Sequence, residues 1–323
     1  MATAYSLRIV VLVRKGTPVK LAVFGQSAFG KAVVEAIVDA GHDEIVGVFP
    51  PPPKEGVPED PIAEAGKSRG VPVLLPGRYR SRAAIDAFKG LAPDLCVMAY
   101  VTDFVPEEVL FYPKLGTIQY HPSLLPRHRG PSSINWPIIQ GETETGLSIF
   151  WPDKGLDTGP ILLQIKVPIG PDDTVASLYF NHLFPLGVKA IVESLDLVRS
   201  GKAPRTPQDE KHATYEGWCK KEDAVIDWKR PAAEVYNLIR GCNPQPGAHT
   251  TLEGQELRIF DSAAGGAGQA RPGMVVAIGP GGIEVAAGRG SVLVKRVQTV
   301  GAKKVTATEF ASSVGLKAGA QLG

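Results

Sequence analysis

Short apolar runs alternating with amphipathic stretches set the pattern of the first part of the chain. Lys20–Phe24, Ile45–Phe49, Val71–Leu75, Leu95–Ala99 and Thr117–Tyr120 have the length and β-branched or aromatic character of strands. Lys31–Ala40 and Ser81–Lys89 carry helical spacing between them. Strand and helix in alternation predict βαβ units, hence an α/β, Rossmann-like and mostly parallel sheet. Leu95–Ala99 is almost wholly apolar and is expected at its centre. Gly146–Phe150 and Ile161–Val167 add strands, and Asp172-Asp173-Thr174 caps a helix expected to run through Arg199.

The pattern then changes. Gly201–Gln208, with two prolines, a glycine and no periodicity, reads as a linker. Beyond it come a helix over Ala232–Arg240, a loop over Asn243–Ala248, and closely spaced strands at Leu257–Phe260, Gly273–Ile278, Ile283–Ala286 and Ser291–Val297. Strands of that length, broken by Gly and Pro, predict a small OB-like β-barrel. Thr306 and Glu309 form a capping box for a terminal helix. The expected organisation is an extension over 1–18, an α/β domain over 19–200, a linker over 201–211 and a C-terminal OB-like domain over 212–323.

With 323 residues, 44% hydrophobic and 21% charged, the chain has the composition of a globular protein with a substantial core. A net charge of +2 neither requires nor excludes a nucleic-acid partner. Cys96, Cys219 and Cys242 are far apart in the chain and odd in number, which predicts reduced thiols, no disulfide and a cytoplasmic protein. His121 and His128 flank a proline-broken loop without metal-ligand spacing, so no metal is expected. No run approaches twenty apolar residues, and no membrane span is predicted. Met1–Pro18 places Arg8, Arg14 and Lys15 around a short apolar run, unlike a signal peptide, and reads as an extension. The turn Gly25-Gln-Ser-Ala-Phe-Gly30 lacks both the middle glycine of a dinucleotide fingerprint and the Lys-Ser/Thr of a P-loop. It is expected to be architectural, with no NAD(P).

The chemistry concentrates between Gly116 and Gly159. Pro122 ends the strand Thr117–Tyr120 and leaves His121 at its carboxyl end, where open α/β sheets bind ligands. An imidazole there is suited to acid–base work. Pro126, Gly130 and Pro131 then shape a loop until a helix begins near Ser132. Asp157, within Lys154-Gly-Leu-Asp-Thr-Gly159, supplies a carboxylate in a tight glycine-flanked turn. Taken singly, each also has a plain structural reading, as a strand-end histidine and as a common turn.

Taken together they resemble a family. His121 followed by Ser123-Leu124-Leu125-Pro126, and then Leu156-Asp157-Thr158-Gly159, is similar to the motif pair of the 10-formyltetrahydrofolate-dependent formyltransferases and hydrolases. The longer wording through Ile134-Asn135-Trp136 and Ser148–Trp151 most resembles the amino-terminal hydrolase domain of 10-formyltetrahydrofolate dehydrogenases, with methionyl-tRNA formyltransferases next. Ala213-Thr-Tyr-Glu-Gly217, Ile226-Asp-Trp228 and Asn243–Ala248 extend the likeness into the carboxyl domain.

The resemblance implies the formyltransferase fold and a small folate substrate, 10-formyltetrahydrofolate, as formyl donor. It implies a catalytic His121 that stabilises the oxyanion and a catalytic Asp157 that favours imidazolium and steers a proton. It also implies a folate pocket that includes Asp103, Phe104 and Val105, with Ser123, Leu124, Leu125 and Pro126 beside it. Where the transferases carry Asn-x-His, this chain has Gln119-Tyr120-His121, so a catalytic amide at Gln119 is retained but moved by one methylene. The 323 residues include neither a carrier nor an aldehyde dehydrogenase domain. The expected activity is therefore hydrolysis of 10-formyltetrahydrofolate or formyl transfer to a small amine. The alternatives are formylation of initiator methionyl-tRNA and a folate-binding module without catalysis.

Overall fold

The computed structural model describes residues 18–75, 77–266 and 270–323. The extension expected over 1–18 falls, except for Pro18, outside the described residues. The chain forms two compact units, each assembled from separate stretches. The first takes the described part of Met1–Pro126 with Leu147–Ile165 and Phe184–His212, and the second takes Arg127–Gly146, Lys166–Leu183 and Ala213–Gly323.

Six strands make the first sheet: β1 (Lys20–Gly25), β2 (Glu44–Phe49), β3 (Leu95–Ala99), β4 (Thr117–His121), β5 (Glu144–Phe150) and β6 (Ile161–Pro168), in the order β2-β1-β3-β4-β5-β6. β1 pairs in parallel with β2 and β3, β3 pairs in parallel with β4, and β5 runs antiparallel to β4. The carboxyl ends of β1, β3 and β4 therefore share one edge. β3 is buried at every position, as its unbroken apolar run predicts. Helices α1 (Ser27–Ala40), α2 (Pro61–Ser68), α3 (Arg82–Gly90) and the short α4 (Glu107–Leu110) connect these strands.

One core layer of this sheet stacks Phe24 on Phe49 with centroids 4.4 Å apart, with Tyr79 and Phe88 edge-on to Phe24. Phe29 packs on Tyr120 and on Phe184 in another cluster. Gly25, at the start of the Gly25–Gly30 turn, is architectural as expected. A Cβ there would stand 2.5 Å from the Ala99 carbonyl oxygen, so only glycine lets β1 run this close to β3.

Four local expectations need correction. Val71–Leu75 is not a strand: only Val73 bridges, to Val48, because Pro72 has no N–H to give and its carbonyl alone accepts from Val48. The helix expected near Ser132 begins later, as α5 (Asn135–Ile139). The helix to Arg199 is interrupted: α6 (Val175–Leu178), capped by Thr174 and Ser177, passes into a π-turn over Tyr179–Leu183 and then into α7 (Phe184–Arg199). Pro185, which cannot donate to the turn before it, sits where the winding changes. Lastly, Ala248 opens a strand rather than closing a loop. The stretch Val175–Arg199 is long and apolar enough by composition to cross a membrane. Within it Ala190, Ile191 and Leu195 are buried and Gly187 faces Tyr120 and Phe29, so one face of α7 packs on the core of the first unit.

The second unit contains α8 (Ala232–Gly241), β7 (Ala248–Leu252), β8 (Gln255–Ala264), β9 (Val275–Gly279), β10 (Gly282–Ala286), β11 (Ser291–Thr299), β12 (Val305–Thr306) and α9 (Ala307–Ser313). Its sheet follows the order β7-β8-β11-β10-β9, with antiparallel pairing throughout and β12 added on β11. The tail joins the sheet's two edges: Leu252 bridges Leu322 and Met274 bridges Gln321, giving the closed antiparallel architecture expected of an OB-like domain. Trp228, Ile239, Ile259, Val285 and Val292 lie in its core. The Thr306–Glu309 capping box forms as predicted.

Candidate active site

β4 places its side chains alternately, so Gln119 and His121 share one face and Ile118 and Tyr120 the other. Its register sets Gln119 opposite Phe150 and His121 opposite Ser148 on β5. The chain turns sharply after His121, with the Ser123 amide donating to the His121 carbonyl at 2.9 Å.

Ser123-Leu124-Leu125-Pro126 then wraps around one hydroxyl. Ser148 Oγ donates to the Ser123 carbonyl at 2.7 Å and accepts from the Leu125 amide at 3.1 Å. Gln164 Nε2 donates both to Ser148 Oγ, at 2.9 Å, and to the Leu125 carbonyl, at 2.8 Å. Ser123 and Leu125 are buried, while Leu124 and Pro126 are half-buried. Every polar backbone atom fixed in this way is one that burial would otherwise leave costly.

Asp157 reaches the same end of the sheet from the loop between β5 and β6. Trp151 N–H donates to the Pro160 carbonyl, and Asp153 accepts from the Gly155 amide at 2.9 Å and from Thr158 Oγ at 2.5 Å, closing the loop on itself. Asp157 sits in the left-handed region at φ 55°, a conformation that a short polar side chain tolerates best. From the segment expected to be a linker, Gln208 Nε2 donates to the Asp157 carbonyl at 2.8 Å and to the Gly159 carbonyl at 2.7 Å. That segment is thus docked, with Thr206 bridging Ile161 and the Arg205 guanidinium 3.8 Å above the Trp151 ring.

The outcome is a buried ion-pair geometry: His121 Nδ1 lies 3.7 Å from Asp157 Oδ2, with the side chains 7% and 8% exposed. At that distance the pair interacts through charge rather than through a closed hydrogen bond. Carboxylate and imidazole are poised to exchange a proton with a group placed beside them.

The Asp103–Val105 loop leaves the carboxyl end of β3, the strand next to β4. Phe104 is 66% exposed, Asp103 turns its carboxylate to the Phe104 amide at 2.8 Å, and Val105 is buried in the Phe24 core. What Val105 can offer a ligand is therefore its backbone. At the other end of β4, Gly116, Thr117, Trp151 and Arg205 line a cavity of about 170 Å³ that holds none of the expected site residues. Among the described residues no group of three His, Cys, Asp or Glu could hold a metal ion. Ser148, Gln164 and Gln208 are the supporting residues that reading the chain alone passed over. Their only sequence signal is an isolated polar residue in an apolar strand or a proline-rich segment.

The chain matches the formyl transferase family profile over residues 19–195 and the formyl transferase C-terminal domain profile over 219–315. It is 47% identical over 249 residues to the mitochondrial 10-formyltetrahydrofolate dehydrogenase of Mus musculus, an alignment covering 76% of this chain and 27% of that protein. The chain thus spans about a quarter of the length of that relative. To the methionyl-tRNA formyltransferase of Geobacter sulfurreducens it is 37% identical over 304 residues, covering 93% of this chain and 95% of that enzyme. Its fold is similar to that of HypX from Aquifex aeolicus, solved in complex with tetrahydrofolic acid, at TM-score 0.66 and 18% identity over 92% of this chain and 47% of that one.

Proposed function

Because this chain belongs to the formyl transferase family, we propose that it takes the formyl group of 10-formyltetrahydrofolate and passes it to water, giving tetrahydrofolate and formate, or to a small amine. The observation that carries this reading is the buried His121–Asp157 pair at a strand's carboxyl end, with the Gln119 amide on the same strand face. Attack on the formyl carbon makes a tetrahedral oxyanion. In this reading His121 donates to that oxygen, with the Gln119 amide as a second donor, and Asp157 receives the proton of the attacking water or amine. Collapse then expels N10 of the folate, which takes a proton back. The loop at Asp103–Val105 and the Ser123–Pro126 turn would flank the folate.

A second reading, formylation of methionyl-tRNA, is favoured by one observation, the near-complete alignment with the Geobacter enzyme. The two part in a single assay, tetrahydrofolate release followed by absorbance, first without acceptor and then with charged initiator methionyl-tRNA. Release without acceptor supports hydrolysis. Release only on adding the tRNA favours the second reading, and no release in either arm, or with small amines, contradicts formyl transfer altogether.

A further inference from the structure

Cys219 and Cys242 both belong to the second unit, and folding brings their sulfur atoms to 3.9 Å from each other. Both are free thiols, and so is Cys96, buried in β3 of the first unit. Cys219 is half-buried at the end of the segment that begins the second domain, its amide held by Ser132 Oγ at 3.0 Å. Cys242 caps α8, with its amide donating to the Leu238 carbonyl at 2.9 Å, and is fully enclosed in the core. One of the two residues is partly exposed and the other is fully enclosed. A disulfide needs the two at about 2 Å, so the sulfurs must close by roughly 2 Å.

We propose that Cys219 and Cys242 form a redox modification site that a peroxide-class oxidant closes to a disulfide. This stands apart from the formyl-transfer reading and does not depend on it. The thiolate of Cys219 attacks one peroxide oxygen; the O–O bond breaks, water leaves, and Cys219 becomes a sulfenic acid. Cys242 sulfur then attacks Cys219 sulfur, the S–O bond breaks, and a second water departs with the remaining proton. Two thiols are oxidised, one peroxide is reduced to two waters, and no other reactant is required.

The environments divide these roles. The hydrogen bond from Cys242 holds the Cys219 thiol below its ordinary range against the opposing effect of burial. That same bond, with burial, pushes Cys242 up. Cys219, the partly exposed residue, is the attacking sulfur and Cys242, enclosed in the core, the resolving one.

The link would fasten two segments that already grip α5. Trp136 Nε1 donates to the Gly217 carbonyl at 2.8 Å on one side. Asn135 Nδ2 donates to the carbonyls of Gly241, at 2.8 Å, and Gln245, at 3.1 Å, on the other. A Cβ on Gly241 would stand 2.5 Å from Ile139 Cγ1, so the fit is close.

The test uses the intact chain, treated with hydrogen peroxide and digested without reductant for mass spectrometry. Two of the three thiols should be lost together, with the Cys219 and Cys242 peptides recovered as one species two hydrogens lighter than their sum and separated by dithiothreitol. Cys96 should remain a thiol. In Cys242→Ser the same treatment should leave Cys219 as a sulfenic acid that dimedone traps. Conversion of Cys219 in the unsubstituted chain to sulfinic or sulfonic acid while Cys242 stays a thiol, or linkage between chains, would overturn the proposal. So would an unreacted Cys219 in the serine variant.

Discussion

His121 and His128 are close in sequence and both are buried, at 6% and 3% exposure, yet one belongs to each unit and their surroundings differ in kind. His121 faces the Asp157 carboxylate at 3.7 Å, beyond hydrogen-bond length, on a loop whose backbone is held in the left-handed region. His128 is bracketed: Glu142 lies 3.2 Å from Nε2 and Glu216 3.2 Å from Nδ1, and its own amide donates to Thr214 Oγ at 2.8 Å. Beside it Arg129 is completely buried, donating to the Tyr215 hydroxyl at 2.6 Å and pairing with that residue's backbone. The second histidine lies between two carboxylates, in a segment whose backbone and Arg129 side chain tie 128–129 to 214–216. The first is the one that the proposed mechanism asks to move a proton. Similar burial thus covers two different settings, set apart by the distance from imidazole to carboxylate.

The comparison breaks most sharply at Asp157. Asp157→Asn keeps the size and tolerance of the turn but removes the charge, and kcat for tetrahydrofolate release should fall by about 10²- to 10⁴-fold with the melting temperature nearly unchanged. At the other histidine the effect should invert. His128→Ala leaves two carboxylates facing a cavity and should cost about 3 kcal/mol of stability, read as a lower urea midpoint, while kcat per folded molecule stays within a few-fold. Gln208→Ala sharpens the contrast by touching neither histidine. Losing both donors to the Asp157 loop should lower kcat by about 10-fold through misplacement of the carboxylate, a loss that steady-state kinetics separates from KM.

How far this was legible in the chain follows the range of the interactions. β3 declares itself because every one of its residues is apolar, and the Thr306–Glu309 box because its partners are a single helical turn apart. His121 was legible because Pro122 marks the strand's end, and Asp157 because two glycines frame it. Ser148, Gln164 and Gln208 were not. Each acts on backbone far along the sequence, and a polar residue in a strand or a proline-rich segment carries no mark of the carbonyl it will meet. The Cys219–Cys242 approach is hidden for the same reason, since it exists only after α8 folds back beside the start of its domain. Val71–Leu75 misled because its apolar content outweighed the missing donor at Pro72.

The smallest expected effect lies within the second unit. Tyr236 donates to Asp172 at 2.6 Å, and burial, that bond and the carboxylate's charge push its phenol from an ordinary 10.0 up to about 12. A raised pKa means the folded state holds the proton more tightly. This contribution is therefore complete below pH 10 and is lost as pH climbs from there through about 12. Tyr236→Phe should cost about 1 kcal/mol at neutral pH and should flatten the alkaline loss of stability in urea titrations run across that window.

The division of labour between the two histidines is tested most directly by one side-by-side measurement: single-turnover tetrahydrofolate release by His121→Ala and His128→Ala, each normalised to folded protein. The account predicts that His121→Ala loses at least about 100-fold while melting like the unsubstituted chain, and that His128→Ala releases tetrahydrofolate at close to the original rate from a less stable fold. A His121→Ala protein that keeps its rate within a few-fold would contradict it.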